Sequence, residues 1–250
     1  MSVNSNQPAP LADLLIISHA ILSGAAIFVP IVFVDDFLVG VIRQNQVRAL
    51  AGQYRVNLSA QEVKLLANID ADGCWQGLLG VLKYPFKIVR QFLKILEVKK
   101  SVETATDTYY TGLLLNEVLR NGWYTGENFN RVQQAIHETK RDINKELVSG
   151  IFRSYLVLNR ENLAILSGWG RELLDYLLAS SRAQVHGLFR RIRLVRQAVE
   201  EHPEALFERQ PPQVSELARQ IYENLNANLL GKPQQQQQEL LERLAAALKE

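Results

Sequence analysis

Apolar residues recur at helical spacing from Leu11 to the C-terminal end of the chain, and no segment shows the period-two alternation of a half-buried strand. The pattern predicts an all-α fold, an irregular multi-helix bundle. Its densest part is Leu14 to Val34, 21 residues without a charge. Pro30 lacks an N–H and crowds the preceding turn, so a helix starting near Leu11 should end near Val29. The uncharged helical part, 14–29, then falls short of the roughly 20 residues that span a hydrocarbon core. Three readings follow: a core helix apolar all round because neighbours cover it, a re-entrant or interfacial hairpin, and a membrane span. Asp35 or Asp36 is placed to cap a second helix. On that helix Phe37, Leu38, Val41 and Ile42 share one side, while Val47, Leu50, Ala51 and Tyr54 lie nearly opposite. Such a change of face implies burial all round in the first half, or a bend at Gly40.

The same reading carries along the chain. Ser59 with Glu62 three residues on is a capping box ahead of Val63, Leu65 and Leu66, with an end near Asn68. Asp70-Ala-Asp72-Gly73 suits a helix cap. It is not a calcium loop, because Val81 stands where a bidentate Glu is required. Helical spacing through Val102, Ala105, Tyr109, Leu113 and Val118 stops at Asn121-Gly122, with Tyr109-Tyr110 as a packing pair. Thr125 is a candidate cap for a helix through Phe129, Val132, Ile136, Ile143 and Leu147, loosened at Gly150. A joint is expected at 159–162, then a helix carrying Leu163, Leu166, Leu173 and Leu177, then another over 185–201. Pro211-Pro212 marks a boundary, followed by helical spacing from Val214 to Leu229, a break at Gly231-Lys-Pro233 and a last amphipathic run to Leu248. The expected organisation is a disordered tail at 1–10, a helical body at 11–210 with an apolar hairpin at 11–54, and a C-terminal helical hairpin at 211–250. That hairpin would dock on the body or take a protein partner through 213–249.

The stretch 73–96, GCWQGLLGVLKYPFKIVRQFLKIL, carries Lys83, Lys87, Arg90 and Lys94 and no acid. At about 100° per residue these four fall within a stripe about 60° wide, opposite a broad apolar face. Solvated helix edges ordinarily mix signs of charge. A pure basic stripe beside aromatics is the pattern of a helix lying in a membrane interface. Trp75, Lys83, Phe86, Lys87, Arg90, Phe92 and Lys94 are the residues expected to touch an anionic membrane surface. The competing account is a core helix showing its solvated edge.

Composition narrows the chemistry. With 47% apolar and 22% charged residues, the 250-residue chain is globular in character, and its formal net charge of +2 argues for no particular partner. Cys74 is the single cysteine, so neither an internal disulfide nor a cysteine-built zinc site can form. No Lys or Arg precedes Arg43, which makes 14–34 a poor secretory signal. If it inserted, the basic body would stay cytoplasmic. His137-Glu138 begins like a zinc-protease helix, but Arg141 stands where the second His is needed. Gly168-Trp-Gly170 lacks the third glycine of a dinucleotide fingerprint, and no phosphate-binding loop occurs. His19 has no second ligand at helical spacing and is expected to take a hydrogen-bond partner. Arg182, Arg190, Arg191, Arg193 and Arg196 spread around their helix and are followed by acids, so a salt-bridged helix is expected there rather than a nucleic-acid site. No catalytic, cofactor-binding or metal-ligating constellation is visible.

The run Phe28-Val-Pro30-Ile-Val-Phe-Val-Asp35, followed by a helix with Gln46, Leu50, Ala51 and Tyr54, resembles a family of bacterial GTPase-associated helical-hairpin proteins of mostly unassigned function. The match covers about residues 25–60. It departs at Val32, where the family often has a second proline, and at Arg55, where it has a glycine after the tyrosine. The resemblance implies membrane association beside a partner protein, with no catalytic residues to transfer. The expectation is therefore a membrane-associated scaffold or accessory protein on the cytoplasmic face. A soluble, cytoplasmic protein-binding adaptor is the alternative, and an enzyme the reading with least support.

Overall fold

The structure is a computed structural model that describes residues 11–29, 34–68, 86–180, 210–229 and 241–248, with 197, 199 and 207; along 86–97, at 174 and over 176–180 it describes the backbone alone. Every regular element among the described residues is helical: α1 (Leu11–Ala26), α2 (Val34–Gln53), α3 (Ala60–Ala67), α4 (Phe86–Arg120), α5 (Phe129–Asp142), α6 (Glu146–Arg153) running into a π turn (Ser154–Leu158), α7 (Arg160–Ser180), α8 (Gln213–Leu229) and α9 (241–248). The expected caps at 70–73 and the expected helix over 185–201 lie outside the described residues, apart from 197 and 199.

α1 is the axis of the fold. Ile16, Ile17, Ala20, Ile21, Leu22, Ala25 and Ala26 are all buried, and they point in every direction around the helix. α4, α2, α8 and α7 pack around it. The apolar run is thus a core helix over its described part, and no described helix is long and apolar enough to cross a membrane. The α-helix ends at Ala26. Three i→i+3 bonds, from Ile27 to Gly24, Phe28 to Ala25 and Val29 to Ala26, tighten the chain just ahead of Pro30.

Small residues set the distance between α1 and α4. A Cβ on Gly24 would lie 3.0 Å from the Ser101 carbonyl oxygen and 3.2 Å from Ala105 Cβ. At the other end of the interface Gly112 of α4 leaves room for Gln46, whose Nε2 would be 2.6 Å from an added Cβ. That Nε2 donates to the Ile16 carbonyl at 3.4 Å.

α2 resolves the change of face. Val34, Leu38, Ile42, Gln46 and Leu50 are all buried. They form a single i,i+4 row, and each step turns about 40° further around the axis. The buried stripe winds around the helix, so no bend is required. Asp35 and Asp36 sit inside the first turn rather than at the cap. There they face the positive end of the helix dipole and accept from Lys100 Nζ at 2.7 and 2.8 Å. Partial burial works against the Lys100 charge, but these two carboxylates outweigh it and raise its pKa.

The ends of the helices follow local chemistry. Ser59 Oγ accepts from the Glu62 N–H at 3.2 Å, Glu62 Oε2 accepts from the Ser59 N–H at 2.7 Å, and Asn68 closes α3. α4 stops in a Schellman turn: the Trp123 N–H donates to the Val118 carbonyl and the Gly122 N–H to that of Leu119, with Gly122 at φ +66°. α2 ends the same way, with Val56 bonded to Ala51 and Arg55 to Gly52. Here the left-handed position is held by Arg55 at φ +56°. Two expectations need correction. Thr125 does not cap α5; the cap position is Asn128, whose side chain instead ties down the loop by accepting from the Thr125 N–H and donating to the Trp123 carbonyl. Ile143 and Leu147 do not continue α5, because Ile143 turns extended (ψ 135°) and α6 begins afresh at Glu146.

Beyond Pro211-Pro212, α8 lays Val214, Leu217, Ala218, Ile221 and Leu225 into the core against α1. The apolar face of 213–229 is therefore spent inside the fold. In α9 Leu244 is buried.

Two stability measurements test these contacts. Replacing Arg55 by Gly relieves a left-handed strain of roughly 1–2 kcal/mol against a chain-entropy loss of about 0.5–1 kcal/mol, so Arg55→Gly should raise stability by about 0.5–1 kcal/mol in urea denaturation. No gain would mean that the turn is strain-free. Gly24→Val should cost about 1–3 kcal/mol by overpacking the α1–α4 contact. An unchanged urea midpoint would show that the two helices are not that close.

Candidate functional site

Five of the seven residues singled out from the sequence fall at the start of α4. Trp75 and Lys83 lie outside the described residues. Phe86, Lys87, Arg90, Phe92 and Lys94 lie on the first three turns of α4, whose helical register keeps Lys87, Arg90 and Lys94 in one narrow stripe. α4 is 35 residues long, about 52 Å, against 16 residues for α1. Its described buried positions run from Ser101 to Leu119.

His19 takes the hydrogen-bonded role expected of it. Its Nδ1 is 2.8 Å from the Leu15 carbonyl oxygen, and its Nε2 is 2.9 Å from the Asn45 side-chain amide. The Phe207 ring lies 5.2 Å from its centroid. Burial pushes its pKa below the ordinary value, against the bonds to Asn45 and Leu15, which favour the charged form. The Leu15 carbonyl can only accept, so Nδ1 carries the proton of the neutral ring. Among the described residues no group of three or more His, Cys, Asp or Glu side chains could hold a metal.

Two polar clusters were not apparent from the sequence. The first joins α2 and α4: the Tyr54 O–H donates to Asn116 Oδ1 at 2.8 Å, and Arg120 donates to Glu117 at 2.6 Å. Burial raises the pKa values of Asp13 and Glu117, and the nearby Arg120 charge opposes the rise at each. The second joins α4 to α5 and α6. Asp107 faces Lys145 Nζ at 2.7 Å and Lys140 Nζ at 3.9 Å, and the buried Lys140 also donates to Thr111 Oγ1 at 3.0 Å. The first ties Tyr54 to α4 by a neutral bond beside an ion pair within α4, and the second directs charge between helices; both fit a structural part.

A groove of about 490 Å³ has a different character. One wall is α6 with its π turn, giving Glu146, Gly150, Ser154 and Tyr155; the other is the last part of α8, giving Asn224 and Asn228. Leu147 and Ile151 supply apolar surface, and Asn159 closes one end. Tyr155 is held from both sides: its hydroxyl accepts from Asn224 Nδ2 at 3.4 Å, and its carbonyl accepts from Asn162 Nδ2 at 3.0 Å. Asn228 donates to the Asn224 side-chain oxygen at 2.6 Å. The i,i+4 pair Asn224 and Asn228 was readable in the sequence, but nothing there placed it opposite Gly150. The chain matches no family model, no curated protein and no solved structure.

The His19 arrangement has a measurable pH signature. A folded pKa below the ordinary value of 6.5 means that the unfolded chain binds the proton more readily. The stability contributed by neutral His19 is complete above that value and declines as pH falls below it. The stability gap between the parent and His19→Gln should narrow as pH is lowered from neutral into the acid range. A gap that is flat or widens would show a charged ring.

Proposed function

We infer that the chain is a non-catalytic helical accessory or scaffold protein that attaches peripherally to an anionic membrane surface, on its cytoplasmic face, through the stretch 75–94. The observation that carries this reading is the enclosure of α1 by α2, α4, α7 and α8. With its described apolar residues committed to the core, attachment has to come from elsewhere, and the acid-free stripe continuous with α4 is the segment suited to it. Each basic residue close to an anionic leaflet contributes about 1 kcal/mol within a Debye length. Four give about 4 kcal/mol, which alone is millimolar binding. The aromatics Trp75, Phe86 and Phe92 have to supply the remainder. The resemblance of 25–60 to GTPase-associated hairpin proteins supports a place beside a partner protein, and the left-handed backbone at Arg55 suits the glycine of that pattern.

A second reading, a protein-binding adaptor that never meets lipid, draws support from the groove between α6 and α8. A partner meeting 213–229 would find its polar side, since the apolar side faces α1.

Binding to vesicles of anionic and of zwitterionic lipid separates the two. The parent should sediment with anionic vesicles at low salt. The variant Lys83→Glu, Lys87→Glu, Arg90→Glu, Lys94→Glu should not, with its helix content unchanged by circular dichroism. A parent that ignores anionic vesicles, or a variant that binds as well, leaves the adaptor reading in possession.

A further inference from the structure

We propose that the groove between α6 and α8 binds an extended peptide segment of another protein, with a Lys or Arg side chain of that segment directed at Glu146. The proposal goes beyond membrane attachment and does not rest on it.

Three observations carry it. The first is the chemistry of the lining. Among the described lining residues, every polar side chain apart from Glu146 is a neutral amide or hydroxyl, and none is a cation. Both Asn228 N–H groups are turned onto Asn224, which leaves Asn228 Oδ1 as an acceptor with no bond among the described residues. Asn159 Oδ1 is occupied by the N–H groups of Glu161 and Asn162, at 3.1 Å each, which leaves its NH2 as a donor with no such bond. An acceptor on one wall and a donor at the end match the N–H and C=O of a main-chain amide, which carries no net charge. The lone carboxylate selects a cation over an anion.

The second observation is Gly150. It lies inside α6, where a glycine costs about 1 kcal/mol relative to alanine. The fold gives no reason for it: its φ is not positive, and a Cβ there would meet nothing within 4 Å. What the missing side chain provides is space in the groove. The third is the π turn at Ser154–Leu158, a second unfavourable backbone feature on the same wall. It sets Tyr155 toward Asn224 and brings Asn159 to the groove end. Two local conflicts with helix preference at one concave surface are the mark of a site kept for binding.

The test is a titration of the ¹⁵N-labelled full chain, without lipid, with blocked nonapeptides of Ala and Ser bearing one central Lys, or Glu in its place. The Lys peptide should shift the Gly150 backbone amide and the Asn224 and Asn228 side-chain amides saturably, with the Glu peptide about two- to tenfold weaker. Gly150→Met places a good helix former in the empty space, so it should abolish the shifts with no loss of thermal stability. Glu146→Gln should bind both peptides alike. The proposal is overturned if millimolar Lys peptide gives no saturable shift, if the shifts lie away from the groove, if Lys and Glu peptides bind equally to the parent, or if Gly150→Met binds as the parent does.

Discussion

The structure depends on one constraint, the close approach of α1 and α4. A helix apolar all round is stable in water only if protein covers every side, and α1 is short, so each neighbour has to come near. The α1 sequence ends in Ser23-Gly24-Ala25-Ala26, and α4 answers with Ser101 and Ala105. Gly24 meets the Ser101 carbonyl and the Ala105 methyl so closely that no Cβ fits between them without a shift. Once that spacing is set, Gln46 fits only because Gly112 lacks a Cβ, and Leu156 of the π turn is drawn against Gly24. The arrangement has a cost. Ser23 Oγ, Ser101 Oγ, Gln46 Oε1 and Trp169 Nε1 are buried with no hydrogen-bond partner among the described residues. Each such group costs about 1–3 kcal/mol, so the apolar contacts around α1 have to outweigh them.

The polar residues of the surrounding helices fix how those helices are oriented. Arg43 donates to Thr108, Tyr54 to Asn116, and Lys100 to Asp35 and Asp36, so α2 is pinned to α4 at three heights. An apolar stripe alone would let α2 slide along α4 by a turn. These bonds are made in only one register, which is how a fold with a featureless central helix acquires a unique arrangement.

Elements governed by local rules were legible in the sequence, and contacts governed by distance were not. The capping box at Ser59, the end of α1 ahead of Pro30, the stop at Asn121-Gly122 and the all-helical class each depend on a few adjacent residues. The winding of the α2 stripe was visible as a change of face, but its cause was not, because an i,i+4 ridge and a bent helix leave the same pattern. The break at Ile143 was missed because apolar spacing ran on across it, while Asn144 supplies a side-chain oxygen to the Glu146 N–H, 2.9 Å away, and restarts the helix. The groove escaped because its walls come from residues about seventy positions apart, and asparagines at i,i+4 on an exposed helix read as ordinary solvated surface. Of the residues singled out for membrane contact, the sequence supplies the charge pattern and α4 supplies a continuous helical backbone from Phe86 onward.

α8 ties the core to the groove. Its inward row, Leu217, Ile221 and Leu225, covers α1, and about 60° around the helix from Ile221 Asn224 bonds to Tyr155. The groove therefore exists only while α8 is docked, and α8 docks on α1 and α6. A ligand that binds the folded groove and not the unfolded chain stabilises the fold by about 2.7 kcal/mol at a concentration of 100 times its Kd. That is of the same size as the cost of one or two of the buried orphan groups around α1. Occupancy of a surface groove would thus be felt at the centre of the molecule, through one helix whose apolar row and groove-lining amides lie side by side.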